Sequence, residues 1–188
     1  MHLGTQRVWL PVAIAILLSL LVVTGFYQQS WRLLYNVTES MPTGWYLLER
    51  ESPRAEWLLP GTSVAYHPVI PNWARLRYNY KPEHTFVKAI GAVPGEVLHT
   101  EGRHVFACPT VTAAQDPRKP DCRELGEVLE EDSKGRPMPF EHPWKAHIIP
   151  EGYYYLYAGR RPGSFDSRYQ GLIPQERILG RIIYLHWD

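Results

Sequence analysis

From Val8 to Phe26 the chain reads VWLPVAIAILLSLLVVTGF, 19 residues without a charged side chain. No other stretch restricts the fold as much. A helix of that length rises about 28 Å, close to the roughly 30 Å of a bilayer's hydrocarbon core. A cleaved signal peptide is the competing reading, but its apolar region runs about 7–15 residues and ends at a small-x-small site. This run is longer, and its exit, VVTGFYQQSW, offers only a poor version of that site. The expectation is an uncleaved anchor over 8–27, with 1–7 on the cytoplasmic side. Arg7 precedes the span and Arg32 follows it, a modest bias that puts the body of the chain, 36–188, outside. Trp9 at one end and Tyr27 and Trp31 at the other suit interfacial aromatic belts. Pro11 falls in the first helical turn, where a missing N–H costs little.

The remainder reads as a packed domain. The chain is 45% hydrophobic with 7 Trp and 12 Tyr, which argues for a core and against general disorder. Its net charge of +1 is spread without a basic block, so no nucleic-acid footprint is expected. Cys108 and Cys122 lie in the part placed outside, where a disulfide is the default reading. A zinc pair is the alternative; it lacks a second pair, and His99, His104, His142 and His147 lack ligand spacing. No metal and no cofactor is expected.

After the anchor the pattern is β rather than helical. Short β-branched or aromatic runs at 45–49, 62–69, 84–92, 96–100, 153–158 and 177–187 are bounded by Pro-Gly, Glu-Gly and Ile-Pro punctuation. No helix-period stretch of useful length follows residue 35. Residues 107–145, rich in Pro and charge, read as an inserted surface excursion tied at its base by the cysteines. Asn36-Val37-Thr38 matches the glycosylation triplet, a pattern short enough to arise by chance.

Three stretches carry chemistry: TESMPTG around Ser40, HTFVKAIGAVPGEVL around Lys88, and GSFDSRYQG at 163–171. Pro42 and Gly44 form a turn, which either merely turns the chain or presents Ser40. Lys88 is flanked by Phe86, Val87, Ala89 and Ile90, and burial there would disfavour the ammonium form. A lysine so depressed can act as a general base, and a serine hydroxyl needs one to become a nucleophile. An edge-strand lysine facing solvent fits the same residues.

Taken in order, the three stretches resemble the boxes of the type I signal peptidase family, and in particular its conjugative-transfer branch, the TraF-like pilin-processing peptidases. SMPTG resembles the Ser-x-Pro-x-Gly nucleophile box, VKAIGAVPGE the base-bearing strand, and SFDSRYQG the Ser-x-Asp-Ser-Arg-x-x-Gly box. The resemblance implies a mainly β fold: a signal-peptidase-like antiparallel β-sheet catalytic domain with one N-terminal transmembrane helix, in the bacterial inner membrane and facing the periplasm. It implies a Ser-Lys dyad of Ser40 and Lys88. By position, Thr38 matches an oxyanion hydroxyl, Ser164 the hydroxyl that orients the lysine amine, and Asp166 and Arg168 a supporting ion pair. The expected partners are a pilin precursor, membrane lipid and pilus assembly proteins. The acyl-enzyme on Ser40 would pass to water or to the pilin's own amine, the latter giving a cyclic product. The general secretory enzymes carry an extra acidic residue in the nucleophile box, absent here, and a Gly-Asp-Asn stretch where this chain has AGRRPG. General signal peptidase and a non-catalytic scaffold of a secretion system are the rival readings. The sequence leaves open what Arg160 and Arg161 do.

Overall fold

The structure, a computed structural model, describes residues 6–50, 54–116, 121–140, 143–159 and 161–185, without the side chains of 6–10, 26–29 and 55. A first helix, α1 (Gln6–Ser30), leads without a break into β1 (Trp31–Asn36). There follow β2 (Gly44–Glu49), β3 (Ser63–Tyr66), α2 (Asn72–Tyr78), β4 (Phe86–Ala92), β5 (Val97–Glu101), β6 (His104–Cys108) and β7 (Arg123–Glu127). The chain closes with β8 (His147–Ile148), β9 (Tyr153–Tyr157), α3 (Ser167–Gln170), β10 (Ile173–Pro174) and β11 (Ile178–Tyr184).

Along α1 the side chains from Val12 to Val23 stand exposed, Val22 at 71%. The polar side chains of 11–25 turn inward: Ser19 Oγ donates to the Ala15 carbonyl at 2.8 Å and Thr24 Oγ1 to that of Leu20 at 2.7 Å. Among the described residues no helix is long and apolar enough to cross a membrane. The described side chains of α1 stop at 11 and 25, short of the roughly 20 that a span requires. The expected anchor over 8–27 therefore extends, at both ends, beyond the described side chains, and the expected N-terminal segment lies mostly outside the described residues.

The strands form two antiparallel sheets. One has seven strands in the order β1-β2-β11-β3-β4-β9-β10, the other four in the order β7-β6-β5-β8. Alternation explains the first: in β2, Tyr46 and Leu48 point inward while Trp45 stays exposed, as a period of two requires. Leu98, Val105, Leu125 and Ile149 of the smaller sheet and its flanks pack in one core with Tyr155, Phe165 and Tyr169. A second core of Val64, Tyr66, Ile90, Leu156 and Ile178 fills the centre of the large sheet. At Gly180 the register of β11 against β3 shifts. Gly180 has φ +153°, and a Cβ there would stand 1.9 Å from the Glu49 carbonyl oxygen, so glycine is what lets β11 lie against β2.

Only short helices follow residue 35 among the described residues: α2 has 7 residues, closed by Asn79 in the left-handed region, and α3 has 4. Neither is long enough to generate a readable helical period. The reading of residues 107–145 as a surface excursion needs correction. Their start completes β6, and Arg123–Glu127 pairs with it as β7. Leu125, Val128 and Met138 are buried. RELGE has poor intrinsic strand preference, and pairing with β6 overrides it. Cys108 and Cys122 are bonded, their Cα atoms 4.3 Å apart, so the bridge ties the end of β6 to the start of β7.

Candidate active site

The turn after β1 is held together by one side chain. The two N–H groups of Asn36 Nδ2 are shared among the carbonyls of Thr38 (2.9 Å), Met41 (3.1 Å) and Pro42 (2.9 Å). Its Oδ1 accepts from the Thr38 N–H at 3.1 Å and from Thr38 Oγ1 at 2.8 Å. Tyr46 Oη also donates to the Pro42 carbonyl, and Tyr184 Oη to that of Thr43 at 3.1 Å. Side chains thus satisfy the carbonyls that a tight turn leaves without strand partners. At the apex sits Ser40, half-buried, its Oγ 3.2 Å from Thr38 Oγ1.

Lys88 comes to meet it from below. β4 lies between β3 and β9, so Lys88 is on an interior strand rather than an edge. It shares the inward face with Phe86 and Ile90 and is only 5% exposed. Its Nζ donates to Ser40 Oγ at 2.9 Å and to the Val87 carbonyl at 3.1 Å. Burial pulls the ammonium down from 10.5 to about 8; nearby Asp166 pushes it back up, and Arg168 pulls it further down. Both residues line a cavity of about 410 Å³ whose walls include Tyr46, Tyr80, Phe86 and Phe165.

Ser164 lines the same cavity and is 6% exposed, but its hydroxyl has no hydrogen-bond partner among the described residues. The structure therefore brings it to the site without pairing it to the lysine. Asp166 and Arg168 form a fully buried, two-pronged pair, Nε to Oδ1 at 2.8 Å and Nη2 to Oδ2 at 2.7 Å. Their remaining bonds join separate parts of the fold. Asp166 accepts from the Ala158 N–H at 3.0 Å, and Arg168 donates to the carbonyls of Glu127 (2.8 Å) and Arg161 (2.7 Å). Arg161 in turn reaches Glu39, beside the Ser40 turn, at 2.5 Å. Arg160 lies outside the described residues. No group of three or more His, Cys, Asp or Glu able to hold a metal occurs among the described residues.

The arrangement is a hydroxyl, an amine of lowered basicity and an aromatic cleft, which is what nucleophilic acyl chemistry needs. Residues 5–187 match the family described as signal peptidase, peptidase S26, and the chain belongs to that family. It is 27% identical over 110 residues to thylakoidal processing peptidase 1, chloroplastic, of Arabidopsis thaliana, covering 58% of this chain and 27% of the relative. It is 23% identical over 127 residues to signal peptidase I of Leptolyngbya laminosa, covering 68% of this chain and 52% of the relative. The chain thus spans about half, or less, of the length of these curated relatives. A signal peptidase I structure from Enterococcus faecalis V583 aligns over 70% of this chain and 97% of its own, at 16% identity and a TM-score of 0.37, too loose to carry an argument.

Asn36 is the residue that the sequence did not single out. Its only signal was the Asn-x-Thr-x-Ser spacing, which reads as easily as a chance triplet.

Proposed function

We propose that the chain is a membrane-anchored serine endopeptidase in which Ser40 is the nucleophile and Lys88 the general base. The observation that carries this is the 2.9 Å approach of an almost fully buried lysine amine to the Ser40 hydroxyl. With Lys88 neutral, Ser40 Oγ bonds to the scissile carbonyl carbon as its proton passes to Nζ. The tetrahedral intermediate collapses, the C–N bond breaks, and Lys88 returns the proton to the leaving amine. An ester on Ser40 remains. Water or an amine attacks it, again giving its proton to Lys88, and the Ser40 oxygen leaves with that proton. Thr38 and the Ser40 N–H would serve the oxyanion, and Ser164 would offer its open hydroxyl to the lysine.

The substrate we assign is a pilin precursor, cut in the periplasm where its apolar segment leaves the inner membrane and passed on to pilus assembly proteins. Support comes from the SMPTG and AGRRPG stretches, which depart from the general secretory pattern toward the conjugative branch. The names of the curated relatives favour a second reading, a general signal peptidase acting on exported precursors. Co-expression with a pilin precursor, read by intact-mass spectrometry, separates the cases. A product one water lighter than the linear chain signifies transpeptidation, and a linear product hydrolysis. An untouched pilin beside a trimmed export precursor supports the general enzyme. Ser40→Ala and Lys88→Ala should each abolish processing, with the double variant no worse than either. Normal processing by the Ser40→Ala protein would instead support a scaffold.

A further inference from the structure

We infer that Asn36 is a positioning residue that sets the direction of the hydrogen bonds running through Thr38 to the Ser40 hydroxyl. The inference rests on the Ser40–Lys88 reading and goes beyond it. The orientation of the Asn36 amide is fixed by its surroundings. Nδ2 faces the three carbonyls of Thr38, Met41 and Pro42, and a flipped amide would set Oδ1 against all three. Oδ1 therefore faces Thr38, where it can only accept. The Thr38 hydroxyl has one proton, and at 2.8 Å from Oδ1 that proton goes to Asn36. Thr38 Oγ1 is then left as an acceptor, 3.2 Å from Ser40 Oγ, and receives the Ser40 proton. An ammonium on Lys88 donates to Ser40 Oγ from the other side. The resting chain runs one way: Lys88 to Ser40, Ser40 to Thr38, Thr38 to Asn36. When Lys88 loses its proton, Nζ becomes an acceptor and the Ser40 hydroxyl turns over to it. That turn frees Thr38 Oγ1 without moving any heavy atom, because Asn36 still holds the Thr38 N–H on one side and the turn's carbonyls on the other. The Thr38 hydroxyl can then swing its proton from Oδ1 to the oxyanion as that charge develops.

The same side chain thus does two things. It fixes where Ser40 stands, and it decides which of two neighbours the Ser40 proton rests on. A loop merely tied down by its carbonyls would achieve only the first.

The test compares the wild type with Asn36→Ala, Thr38→Ala, Thr38→Ser, Thr38→Val and the double variant Asn36→Ala/Thr38→Ala. The substrates are the pilin precursor and an internally quenched peptide with an Ala-x-Ala junction. Asn36→Ala should lower kcat about 100-fold, the order expected when a reacting group is displaced, with KM little changed. The double variant should be slower than Thr38→Ala by much less than the roughly 100-fold that Asn36→Ala costs alone, since part of the Asn36 effect runs through that hydroxyl. Thr38→Ser should restore most of the rate, and Thr38→Val, which keeps the shape, should not. Thermal unfolding reports whether each variant folds. If Asn36→Ala does not fold, Thr38→Val decides: full activity there overturns the inference. Wild-type kcat in Asn36→Ala, or losses that multiply in the double variant, overturn it as well. Cleavage by Ser40→Ala at the wild-type rate would instead remove the dyad reading, a separate failure.

Discussion

Lys88, its ammonium pulled down to about 8 inside β4, makes the stability of this protein, and under the proposed function its chemistry, depend on one proton. Consider the sign first. The folded-state value lies below the ordinary 10.5, so between about 8 and 10.5 the unfolded chain binds more protons than the folded one. Stability contributed by this group therefore rises with pH across that window. Below 8 both states are protonated and the full cost of burying the charge stands, about 3 kcal/mol at 1.36 kcal/mol per unit. Lys88→Met should raise the unfolding temperature at pH 7, show little gain near pH 10.5, and be inactive; paired thermal scans measure this. The wild-type kcat/KM should climb along a single-proton limb with its midpoint near 8. Lys88→Arg should be dead, because guanidinium does not deprotonate in proteins. An active Lys88→Arg enzyme would remove Lys88 from the base role. At this scale Ser40 and Lys88 were marked as a pair only by the resemblance of three ordered boxes, since a turn serine and an edge-strand lysine fit the same residues. Asn36 was not, since the contacts that one amide makes to five polar groups leave no periodic or compositional trace.

Among elements, the strands with alternating or aromatic runs could be read directly, as in Phe86–Ala92 and Tyr153–Tyr157. Those built by pairing could not. Arg123–Glu127 has an unremarkable composition and becomes a strand through β6 and the bond between Cys108 and Cys122. Likewise α2 is made a helix by a short turn closed at Asn79, not by a periodic face. We propose α1 as the membrane anchor. Its 25 residues would extend about 37 Å, and its exposed apolar side chains with back-bonded Ser19 and Thr24 suit lipid. The mature protein should keep Met1 and remain in the membrane fraction after high-salt and alkaline washing. An N-terminus found near Gly25 by sequencing would show instead a cleaved leader.

For the molecule as a whole, the Asp166–Arg168 pair is the joint. It bonds β7 through Glu127, the segment after β9 through Ala158, and the loop that reaches Glu39 through Arg161. Removing one partner leaves a buried charge uncompensated, which typically costs 3–5 kcal/mol. Asp166→Asn should therefore lower the denaturant midpoint markedly, and Asp166→Asn/Arg168→Met should recover much of the loss. Equal stability of the single and double variants would mean that the joint is not electrostatic. The sequence pointed to this pair only by resemblance; its burial and its reach across both sheets follow from the tertiary fold.

The junction between α1 and β1 has one more consequence. Trp31 starts the strand directly after Ser30, and the Arg50 N–H donates to the Ser30 carbonyl at 2.7 Å, so no slack separates helix from sheet. The six residues of β1 advance about 20 Å from the helix end to the Ser40 turn. For a chain anchored by α1 with Ser40 as its nucleophile, this makes Ser40 the tip of a calliper resting on the bilayer. Peptide bonds would be chosen by their height above the lipid as much as by the side chains around them. A lengthened junction between Ser30 and Trp31 would move the cut along the substrate rather than abolish it.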